Sequence, residues 1–168
     1  NKEDQKVIQS HGFKDVRVLT QTTFEGIKLT KIGGQHGTDA MYRIPKLKAG
    51  LGEAIGMVFE ANGHETVYVV GDTIWRPDVD QAIQSFKPDV IVLNTGNAVV
   101  NGCKESIIMG KEDTYRATQK APNAKVVAVH MDAINHMSVT RAELADYVKD
   151  KGIQDKVLIP IDGETLSF

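Results

Sequence analysis

Three near-continuous apolar runs dominate the second half of the chain: Val90-Ile91-Val92-Leu93, Val126-Val127-Ala128-Val129 and Val157-Leu158-Ile159. Each follows a stretch with helical spacing, at 78–86, 111–120 and 141–151. Strands this apolar cannot face water, so the intervening helices must cover them. The last helix carries a capping box in Thr140 and Glu143, with Gly152 beyond its end. The first half has a different rhythm. Residues 16–20 and 26–32 alternate as half-buried strands do, and 57–61 and 66–70 flank the hairpin signal Asn62-Gly63. A short helix is expected at 3–11, stopped by Gly12, and glycine-rich residues 33–56 read as loop. The expectation is one α/β (α+β) domain over residues 1–168.

The bulk properties exclude several classes. A net charge of −2 leaves no basic footprint for nucleic acid. No apolar run approaches the roughly 20 residues that span a bilayer. Cys103 is the one cysteine, so no intrachain disulfide can form; a reducing, cytoplasmic location is expected. Asn1 opens the chain with neither an initiator methionine nor a signal-peptide pattern. Trimming would explain that, and so would an interior start within a longer protein.

Three strands end in a residue suited to binding a metal. Residues 26–32 run into Gly33-Gly34-Gln35-His36-Gly37, 66–70 into Gly71-Asp72-Thr73, and 126–129 into His130. Core strands hold such residues stiffly, and glycines beside them allow sharp turns. Two imidazoles and a carboxylate form a set suited to zinc or a similar divalent ion. Taken singly, each has a plainer reading: the histidines as strand-end caps, Asp72 as a turn aspartate bonded to backbone amides.

These motifs, Gly-Gly-Gln-His36-Gly, Val-Val-Gly-Asp72-Thr and Val-Ala-Val-His130, resemble the later metal motifs of metallo-β-lactamase-fold, metal-dependent hydrolases. The resemblance implies part of an αββα sandwich with two divalent ions, Zn2+ or else Mn2+ or Fe2+, at one sheet edge. His36 would complete the ligands of the first ion, Asp72 would bridge both, and His130 would ligate the second. The family's His-x-His-x-Asp-His motif is absent, because the five histidines (11, 36, 64, 130 and 136) are never two apart. The chain therefore reads as the middle and C-terminal part of a larger domain, its site completed by an N-terminal segment and itself nearly inactive; the alternative is a degenerate member that has lost its first motif. The reaction implied is metal-activated water attacking an ester, lactone, amide or phosphodiester bond of a small-molecule substrate. The implied partner is a complementary N-terminal segment or chain, or a second copy.

Other residues carry paired readings. His136 is either a catalytic group facing the substrate or a loop histidine ahead of the capped helix. Asp132 orients His130 or is solvated, and Trp75 walls a pocket or packs on the helix at 78–86. The motif Asn94-Thr95-Gly96-Asn97 meets substrate or is a plain turn, and His11 and His64 are solvated. A metal-free α/β binding module is the alternative function for the chain. A phospho-acceptor role for Asp72 would need a lysine and an acidic cluster that the sequence does not offer.

Overall fold

A computed structural model describes residues 2–168; the reading of Asn1 as an interior position lies outside them. The elements run α1 (Lys2–Ser10), β1 (Gln21–Phe24), β2 (Ile27–Gly33), α2 (Asp39–Tyr42), α3 (Pro45–Leu51), β3 (Ile55–Glu60) and β4 (Val67–Val69). They continue with α4 (Pro77–Phe86), β5 (Val90–Asn94), α5 (Lys111–Lys120), β6 (Lys125–Val129), α6 (Arg141–Asp150) and β7 (Val157–Leu158). The seven strands form one sheet in chain order. Pairing is antiparallel from β1 to β4 and parallel from β4 to β7. The mixed α/β class expected from the sequence is thus present.

Two expectations fail locally. Residues 16–20 form no strand; the first strand is β1, over the polar stretch Gln-Thr-Thr-Phe. Glu25 and Gly26 both take positive φ, 47° and 84°, which makes a two-residue hairpin turn. That turn fixes Phe24 opposite Ile27 and Gln21 opposite Thr30. The stretch 33–56 is not only loop, for α2 and α3 lie within it. Thr38 caps α2 by accepting from the Met41 amide, and Pro45 opens α3 at a position where its missing N–H costs nothing.

Each parallel step adds the next strand on the same side of the last one. Right-handed crossovers that all step the same way lay their helices on one face. Accordingly Val79 and Ile83 of α4, Ala117 of α5, and Leu144 and Val148 of α6 share one core with Val58, Tyr68, Ile91, Leu93, Val126 and Ala128. The intervening strand residues point the other way. Leu29, Met57, Phe59, Val69, Val92 and Val129 are half-buried and belong to no buried cluster. The chain exposes 10408 Å², against about 8,200 Å² for a compact monomer of its mass. That sheet face is apolar and, Val127 apart, only half-buried among the described residues.

The helix-side core is the main source of stability. Leu144 is fully buried there, so Leu144→Ala should cost about 2–5 kcal/mol. Urea unfolding checks this, and a midpoint unchanged from the parent would refute the assignment.

Candidate metal centre

The parallel register sets the site. Val69 pairs with Val92 and Asn94 with Val129, so β4, β5 and β6 end side by side. Asn94 is the last residue of β5, and Asp72 and His130 stand just past the ends of β4 and β6. Asn94 donates through Nδ2 to Asp72 Oδ1 at 2.6 Å. His130 Nε2 lies 3.6 Å from the same oxygen, and both side chains are about one third exposed, at 33% and 40%. That spacing exceeds an ordinary hydrogen bond. It matches two ligands of one tetrahedral ion, which bonds of about 2.1 Å hold about 3.4 Å apart.

His36 reaches the same edge on a stitched loop. Gln35 donates its amide to Thr73 Oγ1 at 2.9 Å, and Ile74 donates to the Gln35 carbonyl at 3.0 Å. A Cβ on Gly34 would press on the Thr73 side chain at 3.1 Å, so glycine allows the two loops to close. His36 Nδ1 sits 3.3 Å from the Leu51 carbonyl. As the Nδ1–H tautomer it donates there and keeps Nε2 available, as metal-ligating histidines do.

His130 owes its direction to an unusual backbone. His130 and Asp132 both take left-handed φ, 63° and 62°, at roughly 1 kcal/mol or more each for a non-glycine residue. Met131 between them is buried in the core at 1% exposure. Gly96 packs directly under this turn, where an added Cβ would strike the His130 carbonyl and the Met137 sulfur.

The set is partial. Among the described residues no group of three His, Cys, Asp or Glu side chains is disposed to hold a metal ion. The structure brings Asp72 and His130 together and sets His36 on the adjoining loop. His136 stands apart from that pair. It is exposed and lines a cleft of about 610 Å³ between residues 99–103 and 135–138. The Val99 amide donates to the His136 carbonyl at 2.9 Å, tying the two walls of the cleft together.

The remaining readings resolve in structural terms. Trp75 donates Nε1–H to Asp80 at 3.0 Å, carries Arg116 over its ring at 4.4 Å and packs against the helix-side core. It is a packing residue. Asp132 serves Arg141, whose Nη1 donates to it at 3.0 Å. It is neither free nor bonded to the His130 ring. His11 and His64 are exposed, as expected. Asn94 is the residue the sequence reading undervalued, since a strand-terminal asparagine resembles a plain turn until its strand is known to lie between the other two.

No family model matches the chain. It is similar to the UPF0173 protein YddR of Bacillus subtilis (strain 168), with 40% identity over 169 residues covering 100% of this chain and 64% of that protein. The crystal structure of a possible metal-dependent hydrolase from Veillonella parvula DSM 2008 superposes with TM-score 0.98 at 44% identity, over 100% of this chain and 64% of that one. The isothiocyanate hydrolase from Delia radicum gut bacteria follows at TM-score 0.93 and 45% identity, over 99% of this chain and 64% of that one. The metallo-β-lactamase fold protein YhfI of Bacillus subtilis, 12% identical with TM-score 0.66 over 96% of this chain and 60% of that one, shares the fold alone. The likeness to metallo-β-lactamase-fold, metal-dependent hydrolases is therefore borne out. The chain spans 64% of the length of the relatives it matches most fully.

The turn at His130 gives a direct check. Gly96→Ala should force the 129–131 backbone outward and break the approach of His130 to Asp72. A crystal structure of the variant, or loss of nuclear Overhauser contacts between the His130 ring and Asn94, would show it. An intact contact would refute the role given to Gly96.

Proposed function

We propose that these residues supply one part of the active centre of a metal-dependent hydrolase. The observation that carries the reading is the 3.6 Å approach of His130 to Asp72 at the shared end of the parallel strands. His36, Asp72 and His130 are the ligands this chain offers to two divalent ions, zinc or else manganese or iron(II). Further ligands come from outside the 168 residues, in the third of the relatives' length that this chain does not span. A bound divalent ion would supply Lewis acidity and lower the pKa of a coordinated water toward neutrality. Asn94 holds the Asp72 carboxylate in place by its amide. His136, in the cleft lined by residues 99–103 and 135–138, faces the substrate and donates a proton to the leaving group. Alone, the chain is nearly inactive, and a metal-free binding module loses its main motive once Asp72 and His130 meet.

Ester, lactone, amide and phosphodiester bonds all suit such a site. A second substrate reading rests on the 45% identity to the isothiocyanate hydrolase. An isothiocyanate is a neutral electrophile whose central carbon accepts water across the C=N bond, and its organic group fits a mixed cleft such as that beside His136. The sole cysteine, Cys103, is free, which accords with a cytoplasmic setting. Among the described residues no helix is long and apolar enough to cross a membrane.

Elemental analysis of the protein expressed from its entire reading frame tests the centre. Zinc, manganese or iron is expected, lost on His36→Ala and on Asp72→Asn; full metal content in both variants would overturn the ligand assignment.

The partner belongs to the same reading. A second apolar β-layer, from the remaining third of the relatives' length, covers the face carrying Leu29, Met57, Phe59, Val69, Val92 and Val129. The support is that face's composition and the excess exposed area of about 2,200 Å², which is on the scale of a large permanent interface. Light scattering should show the isolated chain binding a polypeptide of that sequence, and Phe59→Lys abolishing the complex. A stable homodimer that ignores the added polypeptide would replace this occupant with a second copy.

A further inference from the structure

Arg141 is the first residue of α6 and sits under the loop that carries His130. Its side chain is 24% exposed, yet it makes a dense set of contacts. Nη1 donates to Asp132 Oδ2 at 3.0 Å and to the Met131 carbonyl at 3.5 Å. Nε donates to the Pro160 carbonyl at 3.1 Å, and Nη2 pairs with Asp162. The Arg141 amide donates to Asp132 Oδ2 at 3.2 Å, so the helix start and the guanidinium grip one carboxylate. The positive end of the helix dipole favours that anion as well. None of these contacts touches His130 itself. All of them bear on the two residues that follow it.

We infer that Arg141 is a positioning residue for His130, gripping Met131 and Asp132 so that the double left-handed turn holds the imidazole toward Asp72. The inference rests on the metal-site reading for its purpose, though not for its geometry. Strained φ values persist only where the surroundings over-determine them. Here Met131 is anchored in the core below, Gly96 blocks the His130 carbonyl on one side, and Arg141 clamps the next two residues on the other. A guanidinium is needed because its planar fork serves several acceptors at fixed angles; a lysine offers one point of charge.

The test uses the protein expressed from its entire reading frame, isotopically labelled and without metal. The three-bond HN–Hα coupling and the 13Cα shift report the backbone at His130 and Asp132. Arg141→Met and Asp132→Asn should both lose the left-handed signature at His130, and Arg141→Lys should keep it only in part. Arg116→Met, which breaks the pairing with Asp80 and the stacking on Trp75, should lower thermal stability and leave His130 unchanged. Titration with Co2+, followed by visible absorption, should show about 10-fold to 100-fold weaker binding in Arg141→Met, the usual cost of losing an outer support of a ligand. A left-handed His130 in both Arg141→Met and Asp132→Asn would overturn the inference. Should Arg141→Met fail to fold, Asp132→Asn decides alone. If the unsubstituted protein, expressed from its entire reading frame, takes up no Co2+, the metal reading fails while the coupling still judges the clamp.

Discussion

Parallel pairing of β4, β5 and β6 is the constraint on which the rest of the molecule depends. Its hydrogen bonds fix where each strand ends relative to its neighbours, and they do so without reference to any side chain at the edge. With Val69 opposite Val92 and Asn94 opposite Val129, the residues just beyond are neighbours by necessity. Asp72, Asn94 and His130 come from distant parts of the sequence, yet their meeting requires only that the register hold. The apolar packing of Tyr68, Ile91, Leu93, Val126 and Ala128 under three helices keeps it held. A one-residue slip would turn that packing out to the opposite face. Core and site therefore stand or fall together.

Much of this was legible in the sequence because the runs 90–93 and 126–129 are short, β-branched and nearly unbroken. The first strand was not legible. Gln21-Thr22-Thr23-Phe24 lacks an apolar alternation, and only the tight turn at Glu25-Gly26 makes it a strand. Helices α2 and α3 escaped for a related reason. They are short; α3 buries no residue fully, and α2 buries only Met41. Neither prints a periodic stripe.

At the site, the strand-ending histidines and aspartate were visible because few residue types have the chemistry to bind a metal. The residues that aim them were hidden. Nothing in the letters around Arg141 or Gly96 ties them to His130, since both act through backbone carbonyls and a turn whose φ values no composition reveals. Trp75 takes the second of its two readings, an aromatic held in the packing on α4 through Asp80 and Arg116.

The half-buried apolar sheet face has a thermodynamic consequence for the centre at its edge. Any polypeptide that binds this face in the folded state, and not in the unfolded chain, adds to the free energy of unfolding by mass action. That amounts to about 2.7 kcal/mol when its concentration is a hundred times the dissociation constant. The β-strands that would lie against it are the same ones whose ends present Asp72, Asn94 and His130. Occupancy of a surface on the flank of the sheet thus sets how often the ligands at its rim are assembled, and dilution of one component loosens the other.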